Sequence, residues 1–239
     1  MPVPAAKHAL KLDGNDPTYG DWRDDLVRDG KAVIKGAVPR ERADSYADAM
    51  YSWLEDKDKL PWIDQKGMCL QYAVTHEDFA WAIRSEPGVG EAFEKVYDDK
   101  DLIVSFDAIN FGFPNRTDLP ENKPWPHQDQ DPLKPGFRCL QGLVNMLPNG
   151  PDDGGLIVCR GGHMLSEEYH HASQDDLVRK RDAFERWVGT IHWPNARHTG
   201  SNVGKRDGED DPHNRFEPVN KPSLEQRAFK LTGIPYIKA

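Results

Sequence analysis

Asp101-Leu102-Ile103-Val104-Ser105-Phe106-Asp107-Ala108-Ile109-Asn110-Phe111-Gly112-Phe113 is the stretch where the chain changes from helical to β texture. Leu102, Val104 and Phe106 recur at every second position, and Phe111 and Phe113 resume the alternation after an irregularity near Asn110. A period of two sets such residues on one face of a strand. Downstream, strands are predicted over residues 125–130, 138–147 and 155–160, punctuated by Lys134-Pro135-Gly136 and by Pro148-Asn149-Gly150-Pro151-Asp152-Asp153-Gly154-Gly155. Short strands separated by Gly/Pro turns imply a mainly β core, a jelly roll or barrel.

Upstream the pattern is helical. A short amphipathic helix over residues 21–29 carries Trp22 and Leu26 and ends at Gly30, a natural left-handed cap. A strand is predicted at 32–35. Pro39 then opens a helix in which Ala43, Tyr46, Ala47, Met50, Tyr51 and Leu54 recur at three- and four-residue steps, the spacing of one buried face. Glu86-Pro87-Gly88 breaks the region 77–98 into two further helices. After Ser166 the chain is charged and helical through Trp187, and residues 192–239 are polar, Pro-rich and weakly periodic, a tail expected to wrap the core. The expectation is one domain over 1–239: 1–100 mostly helical, 101–165 jelly-roll strands, 166–239 helix and irregular surface tail.

Composition narrows the function classes. The 239 residues are 37% hydrophobic with a mean hydropathy of -0.77, lean for a globular chain, although seven Trp, seven Tyr and nine Phe supply large surfaces to bury. A formal charge of -9 argues against a nucleic-acid backbone or an anionic membrane as partner, since both demand clustered Lys and Arg. A small-molecule substrate is the expectation. No apolar run approaches the ~18 residues of a spanning helix, and the first twelve residues lack a secretory layout, so an intracellular, cytoplasmic protein is expected. Cys69, Cys139 and Cys159 have no C-x-x-C spacing and read as reduced thiols.

The chemistry centres on His127-Gln128-Asp129, within Trp125-Pro126-His127-Gln128-Asp129-Gln130-Asp131-Pro132. Side chains two apart on a strand share a face, so His127 and Asp129 would converge on one ion. They would be two of the three ligands of a 2-His-1-carboxylate facial triad, which leaves ferrous iron open positions for a keto acid and oxygen. Asp131 joins that face only if the strand runs past it, and Pro132 argues that it stops. The tripeptide alone is weak, because a surface His-Asp pair in a turn is the commoner origin of H-x-D. Asn110 and Gln141 interrupt apolar strands; they are candidates to line a cofactor or substrate pocket, or else satisfied buried amides.

Four blocks in order carry a resemblance. Val104-Ser105-Phe106-Asp107-Ala108-Ile109-Asn110-Phe111, the His127 to Pro132 run, Leu140-Gln141-Gly142-Leu143-Val144-Asn145 and Gly154-Gly155-Leu156-Ile157-Val158-Cys159-Arg160-Gly161-Gly162-His163 look like successive strands of the fungal phytanoyl-CoA dioxygenase-like family. Gly30-Lys31-Ala32-Val33-Ile34-Lys35-Gly36 resembles the strand that family places near its N-terminus. The resemblance implies a mainly β core, a double-stranded β-helix (jelly roll, cupin-like) that is incomplete in this chain, with N-terminal helices and an irregular C-terminal tail, and an iron(II)/2-oxoglutarate-dependent oxygenase that hydroxylates a small organic substrate, with His127 and Asp129 as metal ligands. Gly161-Gly162-His163 is similar to the family's Gly-Ser-His turn, which implies a structural or pocket-lining role for His163.

The same resemblance asks for a distal metal His on a late strand and, about ten residues on, an Arg to pair with the far carboxylate of 2-oxoglutarate, a task suited to a planar guanidinium. No such strand follows. After Ser166-Glu167-Glu168-Tyr169-His170-His171 the chain passes near Ala172 into segments that resemble the family's extreme C-terminal tail. His192, His198 with Arg206 eight residues on, and His213 with Arg227 fourteen residues on are the remaining candidates, none in a convincing strand. A site of two ligands holds iron poorly. Three readings stay open: an oxygenase, a metal-free or impaired jelly-roll protein acting as ligand binder or isomerase, and the product of a transcript from which a section near Ala172 is missing.

Overall fold

The structure, a computed structural model, describes residues 18–55, 63–64, 66–69, 74–104, 109–113, 117–120, 127, 140–150, 155–172, 205–206, 209–210 and 222–232. Helix α1, Trp22–Asp29, starts where the Asp21 carboxylate accepts from Arg23 N–H and stops where Gly30, at φ 74, donates its N–H to Leu26. Asp24 and Asp25 in its first turn and Arg28 in its last match the helix dipole. Helix α2, Arg40–Leu54, follows Pro39. Helices α3, Asp78–Arg84, and α4, Pro87–Tyr97, are parted at Glu86, with Pro87 pre-set for the first turn of α4.

Residues 32–35 do not form the predicted strand. Val33 and Ile34 are 69% and 37% exposed, and the chain turns at Gly36 with φ 72, so this stretch has no neighbouring backbone to pair with among the described residues. The first ladder lies elsewhere. Strand β1, Met68–Cys69, pairs antiparallel with β2, Ile109–Asn110, Met68 opposite Asn110 and Cys69 opposite Ile109. A second ladder joins β3, Lys205–Arg206, to β4, Glu209–Asp210. Of the strands predicted at 138–147 and 155–160, the described residues 140–147 and 155–160 enter no ladder among the described residues, and Leu143, Leu147, Leu156 and Ile157 are exposed there. Of 125–130 only His127 is described.

The main core gathers Trp53 of α2, Ile63, Cys69 of β1, Val74, Phe79 and Ala80 of α3, and Phe111 just past β2. Trp53 stacks on Phe111 with ring centroids 5.5 Å apart and planes 2° from parallel, an arrangement worth about 0.5–1.5 kcal/mol beyond burial. A second cluster packs Leu26 of α1 on Val96 of α4, with Tyr19, Trp22, Val27, Ala32, Tyr97 and Leu140 around it.

Helix α5, Gly162–Ala172, begins four residues earlier than the charged helical pattern predicts, because Gly161 at φ 73 turns the chain into it. The weakly periodic tail also contains a helix, α6, Gln226–Leu231, which buries Ala228. It is fastened to the first half by Leu231 C=O accepting from Val104 N–H at 2.9 Å and by Lys230 on the Lys100 carbonyl and the Asp101 carboxylate.

Candidate functional site

His127 is described and solvent-exposed, while Asp129, its expected metal partner, lies outside the described residues, as do Asp131, His192, His198 and His213. His170 and His171 fall in the last turn of α5. Among the described residues no group of three His, Cys, Asp or Glu is placed to hold a metal ion. Of the two metal ligands that the resemblance implies, His127 alone lies among the described residues.

Asn110 sits at the end of β2 beside a tight turn. The Asp64 carboxylate accepts from the N–H groups of Lys66 and Met68, and Gly67, at φ 78, donates to the Asp64 carbonyl. Against that turn Asn110 Nδ2 donates to the Lys66 carbonyl at 2.8 Å and Phe111 N–H to Gly67 at 2.7 Å. A Cβ on Gly67 would stand 2.7 Å from the Phe111 carbonyl oxygen, so the turn needs glycine for both conformation and space. Asn110 is exposed, and its amide is engaged by backbone. Gln141 is exposed too, preceding Gly142, which lies under the Phe93 ring of α4.

His163 is drawn into the helical half of the molecule. Its Nε2 donates to the Val27 carbonyl at 2.9 Å, and its ring lies so close to Gly30 that a Cβ there would overlap Nδ1 and stand 3.0 Å from Cγ. Beside it Gly161 N–H donates to the Asp29 carbonyl, and the buried Asp29 carboxylate takes Arg28 at 2.8 Å and Arg160 at 3.1 Å. Arg28 first, and then Arg160, hold that carboxyl down at about 2. This contact set locks the Gly-Gly-His turn to the end of α1 and engages Nε2 of the His163 imidazole. Arg227, one candidate for the keto-acid arginine, reaches Glu94 at 3.4 Å and lies over Gly90 of α4.

The polar groups buried elsewhere brace helices. Glu86, at the α3–α4 break, takes both prongs of Arg42 at 2.6 and 2.8 Å and the Tyr46 hydroxyl at 2.5 Å. Arg42 chiefly holds the Glu86 carboxyl below its usual range, and burial, then Glu86, push the Tyr46 phenol up to about 12. Glu77, fully buried, accepts from Trp53 Nε1 at 2.9 Å. His76 is pushed below the usual imidazole range by burial and by the charge of Arg84, whose guanidinium donates to the Thr75 carbonyl. None of these was visible in the sequence as a site; the one available signal was acidic residues beside aromatic-rich helices. A shallow cleft of ≈ 140 Å³ between the 34–37 turn and α4, lined by Trp22, Lys35, Glu91 and Lys95, is well below the roughly 300 Å³ at which ligand pockets begin, and no candidate site residue lines it.

Among known proteins, the chain is similar to "Ava biosynthesis cluster protein O" of Aspergillus versicolor, 38% identical over 182 residues. The match takes in 70% of this chain and 59% of that protein, so the chain spans less than two thirds of its relative's length. No family model matches the sequence, and no solved structure matches it.

Proposed function

We propose that this chain descends from non-haem iron(II)/2-oxoglutarate oxygenases, with a double-stranded β-helix contributed by residues 101–165 and His127 and Asp129 as the surviving metal pair. The observation that carries the reading is the order of four sequence blocks around His127-x-Asp129. The likeness to a fungal protein named for a biosynthesis cluster supports a small organic substrate within such a pathway. When bound, iron would supply the oxygen chemistry; His and Asp at i and i+2 of a strand are the donors suited to it.

Anaerobic titration with ferrous iron and 2-oxoglutarate tests this. One equivalent of iron and a charge-transfer absorption, both lost in His127→Ala, are the expected outcome. Absence of stoichiometric binding would sink the oxygenase reading for this polypeptide.

The second reading, a metal-free jelly-roll protein, is favoured by where two candidate groups stand: His163 is spent on Val27 and Arg227 on Glu94. An activity that His127→Ala leaves intact would select it.

A further inference from the structure

Pro148, Asn149 and Gly150 stand in a loop that belongs to no helix or ladder among the described residues, and Asn149 is exposed. Among the asparagines of the sequence, Asn149 alone is followed by glycine. The pairing matters because an asparagine carboxamide can be attacked by the main-chain nitrogen of the next residue, which is least shielded where that residue carries no Cβ. Loop backbone can rotate to bring the two atoms together, whereas a ladder or helix holds them apart. Asn110 is the opposite case. It is exposed too, yet Phe111 follows it, the Phe111 N–H is tied to the Gly67 carbonyl at 2.7 Å, and its own Nδ2 is given to Lys66. Asn145 is exposed and precedes Met146. Exposure is thus common to the three, and the following residue separates them.

We infer that Asn149-Gly150 is a site of spontaneous covalent modification, deamidation through a cyclic imide. The Gly150 nitrogen, giving up its proton, attacks Cγ of Asn149; the new N–C bond closes a five-membered ring, and the carboxamide nitrogen leaves with that proton as ammonia. Water then opens one carbonyl or the other, giving aspartate or isoaspartate. One water is consumed, one ammonia is released, and nothing is oxidised or reduced. The product adds a negative charge to a loop whose sequence already carries Asp152 and Asp153, and isoaspartate adds one carbon to the main chain between Pro148 and Gly150. The Asn149 side chain also reaches across this loop, with Oδ1 3.4 Å from the position a Cβ would take on Gly155, so the new charge falls at the start of the 155–160 segment. The inference does not depend on iron binding.

The full chain, folded and in urea, is incubated at mildly alkaline pH in water enriched in heavy oxygen, and Asn149, Asn110 and Asn145 are followed by peptide mass spectrometry. In the folded chain Asn149 should convert with one heavy oxygen taken up per event and isoaspartate in excess of aspartate, at a rate within about fivefold of that in urea. Asn110 and Asn145 should lag by about tenfold or more, and Gly150→Val should slow Asn149 by a similar factor with an unchanged circular dichroism spectrum. Asn149 persisting in the folded chain while converting in urea would overturn the inference. So would equal rates at the three asparagines, or a rate at Asn149 indifferent to Gly150→Val.

Discussion

Replacing Gly30 with Ala tests whether the Gly-Gly-His turn is truly latched to α1. Gly30 sits at φ 74, where an L side chain costs about 1–2 kcal/mol. The new methyl would also occupy the position of His163 Nδ1, forcing the imidazole out and breaking its hydrogen bond to Val27, about 0.5–1.5 kcal/mol more. Gly30→Ala should therefore lose about 1.5–3.5 kcal/mol, and His163→Ala, which loses the hydrogen bond and the ring's packing, about 1–2 kcal/mol. The double variant is the informative one. With the imidazole already gone the methyl has nothing to displace, so Gly30→Ala/His163→Ala should be no less stable than Gly30→Ala alone. Urea unfolding followed by far-ultraviolet circular dichroism measures all three. Losses that simply add, to within about 0.3–0.5 kcal/mol, would refute the contact.

Two other perturbations read the bracing groups. Trp53→Phe keeps a ring on Phe111 but loses the donor to the buried Glu77 carboxyl, so its urea midpoint should fall by the equivalent of about 1–3 kcal/mol, and an unchanged midpoint would mean the bond is worth nothing. The Asp29 carboxyl titrates at about 2 in the fold against an ordinary 3.8, so its contribution is present above pH 4 and is lost as pH falls toward 2. Melting temperature against pH should accordingly fall more steeply through that window in the wild type than in Asp29→Asn, and parallel curves would count against the Arg28 and Arg160 pairing.

The helical third was legible because its signals are local. Gly30, Pro39 and Glu86-Pro87-Gly88 mark helix ends by backbone chemistry that needs no partner, and the helices stop and start at them. The buried face of α2 was legible only in part. Ala43 and Ala47 are buried as the spacing implies, yet Tyr51 is 53% exposed and Trp53 is 3% exposed. At 100° per residue these two stand about 80° to either side of Ala43, and which flank faces inward is decided by Phe111 and Glu77, far along the chain. The β1–β2 ladder was beyond reach for a different reason. Two-residue strands have no period to detect, and the pairing of Met68 with Asn110 depends on the Asp64 turn presenting its backbone to Phe111.

For the candidate site, the residue types were legible and their employment was not. A histidine after two glycines reads the same whether it faces a metal or a carbonyl; Gly30, 133 positions earlier, decides for His163 by leaving room for the ring only because it has no side chain. Arg227 likewise could have met a keto acid, and Glu94 decides otherwise. These two assignments bear directly on the iron titration. With His163 and Arg227 committed to holding α5 and α6 against the helical third, neither can complete the His127/Asp129 pair without releasing a packed element. Tight ferrous iron in this chain would therefore require a third donor other than His163, and the sequence candidates His192, His198 and His213 all lie outside the described residues. Weak or absent iron would favour the metal-free reading, and the described contacts that hold α5 and α6 to the helical third would stand unchanged, because they run through Val27, Asp29, Glu94 and Asp101.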